Sequence, residues 1–147
     1  MNSWRLRLIM EQIFKKLILF IFGGMAYFII EILWRGYSHS SMFILGGICF
    51  VLIGLINKFL SWDTPLWRQQ LIATGIITTL EFIFGVFLNI WLKLNIWDYS
   101  NMGLNVLGQI SFGYSILWFF LSLPALFLDD WLRWKLFEEE KPRYKLF

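Results

Sequence analysis

The sequence predicts an all-α integral membrane protein: a bundle of four transmembrane helices in up-down order, with both termini on the cytoplasmic side. Three observations lead there: four apolar stretches of spanning length, basic residues gathered on one side of them, and tryptophans at their edges. Of 147 residues, 59% are hydrophobic and only 16% charged, far from soluble proportions. A soluble domain this small exposes too large a share of its surface to hide so many apolar side chains. Lipid removes that difficulty.

The stretches are Leu17–Trp34, Met42–Leu60, Leu71–Leu92 and Leu104–Leu128, within one membrane domain covering residues 1–147. Each is close to the ~20 residues a helix needs to cross the hydrocarbon core. Helix is the expected form, because backbone groups in lipid must be satisfied within the segment and the alternation of a β-barrel strand is missing. The connections Arg35–Ser41, Ser61–Gln70 and Lys93–Gly103 are short, which makes successive helices neighbours.

Charge sets the orientation. Arg5, Arg7, Lys15, Lys16, Lys58, Arg68, Arg133, Lys135, Lys141, Arg143 and Lys145 fall on one side, eleven in all, against Arg35 and Lys93 on the other. The richer side is expected to be cytoplasmic, and the expected location is the plasma membrane. Trp34, Trp91 and Trp97 fall at the predicted outer edge, and Trp4, Trp62, Trp67, Trp131 and Trp134 at or beyond the inner one. Indoles favour that depth. Only Trp118 is mid-span. Residues 1–16 read as an interfacial helix leading into the first span, expected to stay in the mature protein because no small-residue cleavage site follows. Pro124 either kinks the fourth helix or opens a second interfacial one. Residues 129–147 read as a cytoplasmic tail, solvated from Glu138 on, with Asp129 and Asp130 marking the end of the span.

The few polar residues fall into one stripe per helix, at spacings of three and four that share a face. They are Gly24, Tyr27, Glu31 and Arg35; Gly47, Phe50, Gly54 and Asn57; Thr74, Thr78, Glu81, Gly85 and Asn89; and Asn105, Gly108, Gln109, Phe112 and Ser115. A bundle interior needs such stripes, small residues for close approach and polar ones to bond across the seam. Depth adds a second meaning. Glu31, Arg35, Asn89, Asn105 and Gln109 lie near the outer ends of their helices, whereas Glu81 lies ~15 Å below the outer edge at ~1.5 Å per residue. The expected result is an outward-facing polar pocket or transport route with one acid beneath it, rimmed by His39, Trp97, Asp98 and Tyr99. A charge at mid-bilayer costs at least ~2.5–3.5 kcal/mol and marks a functional position by default. Glu81 escapes by holding a proton or a cation, and Glu31 by pairing with Arg35 one turn on. His39 has no evident partner, and the adjacent Asp129 and Asp130 point ~100° apart on a helix, so they form no shared-proton pair.

Other chemistries are poorly served. Cys49 is the only cysteine, so no internal disulfide forms and no Cys/His spacing suggests zinc. A net charge of +3 spread along membrane edges is not a nucleic-acid footprint. There is no H-E-x-x-H and no serine with a histidine base at membrane depth, so an intramembrane enzyme would rest on lone acids. No cofactor or metal is expected.

Several blocks, Trp34–Met42 (WRGYSHSSM), Glu81–Asn89 (EFIFGVFLN), Trp97–Asn101 (WDYSN), Asn105–Ile110 (NVLGQI) and Ser122–Arg133 (SLPALFLDDWLR), resemble the small bacterial membrane family described as putative ABC-transporter type IV. The resemblance runs from about Glu31 to Arg133 and implies about four membrane helices and a transport role. No G-x-x-x-x-G-K-[ST] loop is present, so ATP would be hydrolysed by a separate ATPase or other transport subunit docked on Ser61–Gln70 or the tail. Four helices are few to enclose a path, so a pore would need a homo-oligomer. Membrane lipids are the remaining expected partner. The alternative to a permease-type subunit is a non-transporting one that binds lipid or protein at the outer cluster.

Overall fold

The computed structural model describes residues 2–147; Met1, the first residue of the expected N-terminal segment, lies outside them. The fold is mostly helical: α1 (Ser3–Arg35), α2 (Ser40–Ile53), α3 (Ile56–Phe59), α4 (Leu66–Gly85), a π-helical continuation (Val86–Trp91), a short hairpin β1 (Asn105–Val106) and β2 (Ile110–Ser111), and α5 (Phe112–Phe137). Among the described residues, four helical units are long and apolar enough to cross a membrane: Ser3–Arg35, Ser40–Phe59, Leu66–Trp91 and Phe112–Phe137.

The expected interfacial helix over residues 1–16 is not a separate element. Nothing between Ser3 and Phe22 breaks a helix, so α1 runs unbroken for 33 residues, about 50 Å against a hydrocarbon core of about 30 Å. It ends at Gly36, whose φ of 82° is left-handed and whose N–H closes the last turn on the Ile32 carbonyl. His39 begins α2, its Nδ1 accepting from the Ser41 N–H at 3.2 Å.

Glycine decides how α1 and α2 meet. A Cβ on Gly23 would overlap Phe50, one on Gly47 would overlap Phe20, and one on Gly46 would overlap Tyr27. Each glycine admits an aromatic ring from the facing helix, the close approach that drives helix association in lipid. Below this seam, Leu19, Phe50 and Leu132 form one buried cluster, and Ile53, Ile56, Ala73 and Leu126 another.

Three predicted spans carry irregularities that hydropathy does not mark. The second, Met42–Leu60, is interrupted between α2 and α3, where the Asp129 carboxylate presses against Gly54 in the space a Cβ would fill. The third widens into the π turn, closed by Leu92 N–H on Phe87 O at 2.9 Å. The fourth does not begin at Leu104. Asn105 competes with a helix there, taking the Gly108 N–H on Oδ1 at 3.0 Å and donating Nδ2 to Met102 O at 2.7 Å; such local bonds favour a turn. The helix starts at Phe112, capped by Ser111, so Asn105, Gly108 and Gln109 do not share a helical stripe with Ser115. It then runs through Pro124 to Phe137, which removes the option of a second interfacial helix opening there.

The tail is not a free solvated strand. Asp129 and Asp130 are buried, 0% and 4% exposed, and their need for partners folds the chain back. Arg133 Nε bonds Asp129 at 2.7 Å. Asp130 takes Asn57 Nδ2 at 2.9 Å and the Tyr144 hydroxyl at 2.9 Å. Burial first, then Asp130, holds the Tyr144 hydroxyl far above its ordinary pKa, so it stays a donor. Lys145 O accepts the Leu66 N–H at 2.8 Å, which seats the tail on the start of α4.

Gly23→Ala is therefore expected to lower stability in detergent by about 1–3 kcal/mol through overpacking. Gly75→Ala, in open space, is expected to be neutral or to stabilise by up to about 1 kcal/mol. Thermal unfolding of the two variants checks this, and equal losses would show that the α1–α2 seam is not tightly specified.

Candidate functional site

Glu81 is 3% exposed on α4, ten residues before the end of the π turn at Trp91. Its oxygens are held by two donors from distant parts of the chain. The Tyr99 hydroxyl donates to Oε1 at 2.9 Å, and Trp118 Nε1–H donates to Oε2 at 3.0 Å. Trp118 belongs to α5, and Tyr99 belongs to the 92–111 connection, which dips toward the bundle. Burial first, then the facing Glu81 carboxylate, push the Tyr99 hydroxyl far above its ordinary pKa, so it donates at any physiological pH.

A lattice of side-chain and backbone bonds holds that connection down. Asn89, turned inward on the π helix, accepts Ile96 N–H at 2.7 Å and donates to Gln109 Oε1 at 2.9 Å. Trp97 Nε1–H reaches Gln109 O at 2.9 Å, and Tyr99 N–H reaches Gly108 O at 2.7 Å. The approach is close enough that a Cβ on Gly85 would stand 2.7 Å from Gln109 Oε1. π turns are frequent at functional sites because the extra residue re-aims side chains. Here it aims Asn89 at the connection that delivers Tyr99.

Two adjoining cavities lie between α1 and α5, backed by α2 and α4. The deeper one, about 190 Å³, is walled by such residues as Gly23, Gly46, Cys49, Pro124 and Glu81. The other, about 360 Å³, lies toward the Arg35 end and includes Glu31, Arg35, Trp97, Tyr99 and Tyr114 in its wall. Tyr27, Ile30, Trp118 and Leu121 line both. Leu33 and Trp34 line the larger cavity yet are 81% and 75% exposed, so its mouth opens beside the last turn of α1. Four aromatic side chains gather over Glu81: Tyr99 stacks on Tyr114 with centroids 4.4 Å apart, and Trp118 lies 5.9 Å from Tyr27 and 6.3 Å from Tyr114.

The structure brings together only part of the predicted set. Glu81, Glu31 and Arg35 line the cavities, and Glu31 pairs with Arg35 while also accepting from Ser38. Arg35 Nη1 reaches Ile96 O at 3.3 Å, so this pair too fastens the connection. Asn89 and Gln109 are buried behind the cavity wall, bonded to each other, and Asn105 shapes the hairpin turn. Of the expected rim, Tyr99 and Trp97 line the larger cavity, but Trp97 is 6% exposed and belongs to the core. Asp98 stays exposed, its carboxyl held below the usual range by the Ser100 hydroxyl and N–H, and His39 caps α2. Sequence reasoning passed over Tyr114 and gave Trp118 no role. Their signal was available: Trp118 is the one mid-span tryptophan, and Tyr114 precedes it by one helical turn on the same face.

The model of the family described as Putative ABC-transporter type IV matches residues 18–139. The chain belongs to that family. The matched region of this type IV family member takes in both cavities, the connection that delivers Tyr99, and the Asp129–Arg133 cluster. With four apolar helices, membership makes it a multi-pass membrane protein. No curated protein and no solved structure matches it.

Tyr99→Phe deletes one of the two donors to Glu81 and is expected to cost about 1–3 kcal/mol of stability, the price of a buried acceptor left short. It should also speed amide exchange across residues 92–111. A variant with unchanged unfolding and exchange would mean that the Tyr99–Glu81 bond does not anchor this segment.

Proposed function

We propose that this protein is the permease-type membrane subunit of a transport system, with the α1–α5 cleft as part of the substrate route. One observation carries the reading: a carboxylate deep within the bundle stands in the wall of an open cleft and is met by neutral donors only. An acid buried purely for packing gains nothing from bordering a cavity, whereas one that receives a proton or a charged solute must border one. The family description supports the same class. Under this reading the helices run up-down in the plasma membrane with both ends cytoplasmic, as the eleven-to-two partition of basic residues favours. The cleft mouth then faces the outer half of the bilayer.

Energy would come from a separate ATPase, since the chain carries no phosphate-binding loop. The surface it would meet is formed by α3, the following loop and the folded-back tail, where Trp62 Nε1–H bonds Glu140 at 3.2 Å and Phe59 stands 83% exposed. The cleft closes on one side only, so the working unit is an oligomer or includes a second membrane subunit. A second reading, a lipid-binding partner that moves nothing, is favoured by the exposed apolar Leu33 and Trp34 at the mouth and would need no ATPase.

Topology is checked with single cysteines, the native Cys49 being buried. Leu104→Cys, 79% exposed, should react with an impermeant reagent from outside the cell, and Phe147→Cys, 89% exposed, should not. The reverse pattern would invert the bundle. For the function itself, purification from membranes under mild cross-linking should retain an ATP-hydrolysing protein. Glu81→Gln should leave that association intact and abolish transport-dependent ATPase stimulation, with Glu81→Asp retaining part. A wild-type protein that retains no nucleotide hydrolase points to the lipid-binding reading instead.

A further inference from the structure

We infer that the cleft binds an organic ammonium ion carrying an apolar chain, admitted sideways from the lipid between α1 and α5. The idea deepens the transport reading, on which it rests for its biological purpose, by naming the class of solute. Three features select it.

The first is charge. Glu81 accepts from a phenol and an indole, and a carboxylate has room for about four such bonds. The guanidinium of Arg35 is committed to Glu31, and among the described residues no cation pairs with Glu81. A cationic solute completes a set that the protein leaves open.

The second is the surface around that acid. The rings of Tyr27, Tyr99, Tyr114 and Trp118 border the larger cavity. Aromatic faces attract an ammonium through the ring quadrupole, most strongly where water is excluded, and they do so for methylated ammonium groups that donate no hydrogen bond. A metal ion is a poor fit. It requires several oxygen or nitrogen ligands, and among the described residues no three His, Cys, Asp or Glu side chains are placed to hold one.

The third is the deeper cavity. Apart from Glu81, Tyr27 and the indole N–H of Trp118, its wall is apolar or sulfur-bearing side chains and glycine. A cavity lined in this way has room for hydrocarbon. The ammonium therefore sits at the aromatic waist, and the chain occupies the space beside Gly46, Cys49 and Pro124. The mouth beside Leu33 and Trp34 admits such a molecule without first drawing it into water.

The test uses the purified full-length protein in an uncharged maltoside detergent. Decyltrimethylammonium is the probe, decanoate the anion of matching chain, and tetramethylammonium the head without a chain. Decyltrimethylammonium should bind saturably in calorimetry and raise the unfolding temperature, with decanoate and tetramethylammonium each weaker by about tenfold or more. Glu81→Gln and Tyr114→Leu should each weaken the probe by about tenfold, while Leu92→Gln, outside both cavities, should leave it unchanged. Equal binding of decanoate overturns the inference, as does undiminished binding by Tyr114→Leu. If Glu81→Gln does not fold, the wild-type comparison of cation with anion and the Tyr114 variant still decide. Loss of the ATPase association would sink the transport reading while leaving this binding result standing, and the reverse pattern would separate them equally well.

Discussion

A carboxyl group placed among hydrocarbon side chains must be surrounded by donors, and the part of the molecule from Asn89 to Trp118 is organised by that requirement. Glu81 draws one donor from α5 and one from a connection that would otherwise lie above the bundle. To bring Tyr99 that far, the connection needs its own internal support. The π turn, Asn89, Gln109 and the hairpin supply it. The glycine at position 85 is part of the same arrangement, because any side chain there would lift Gln109 away. A single unfavourable burial thus accounts for a helix irregularity, a hairpin and the buried position of Trp97.

The Asp129 end repeats the logic with different means. There, Asn57, Arg133 and Tyr144 surround two adjacent acids, and the tail is folded back to provide the last of them. Between the two ends the contacts are largely apolar or glycine-mediated, with Gln70 Nε2 on the Phe119 carbonyl at 3.0 Å and Thr78 beside Ser115 as polar links between α4 and α5, so polar order is concentrated in two layers. The cavity lies against the Glu81 layer only.

Much of this was legible in the sequence. Hydropathy located four helices, and the structure sets Glu81 in the wall of one cavity and Glu31 and Arg35 in the wall of the other. What failed has physical reasons. Leu104, Val106 and Leu107 are as apolar as a span, but Asn105 and Gly108 form a turn, and hydropathy averages do not register one bonded asparagine. Asp129 and Asp130 resemble a span's polar end by composition. Asp129 has a local partner in Arg133, but Asp130 depends on the distant Asn57 and Tyr144, and a local pattern carries no information about such partners. The aromatic group around Glu81 comes from three separate segments for the same reason. Tyr27 was visible on its stripe, whereas Tyr114 was masked by an otherwise apolar run.

The folded-back tail also bears on the order in which the molecule can be completed. Asn57 and Asp130 are separated by 73 positions, and Tyr144 and Lys145 are synthesised after all four spans. The glycine seam between α1 and α2 has every residue it needs early, and domains made by a ribosome tend to form from the N-terminal side. The start of α4 is different: its Leu66 N–H waits for the Lys145 carbonyl. Until that strand arrives, the acids at 129 and 130 lack their phenolic donor and α4 lacks its first backbone partner. The loop face thus takes its final shape only after Tyr144 and Lys145 have been made, so a nascent chain held short of Tyr144 presents an inserted bundle with an unfinished end.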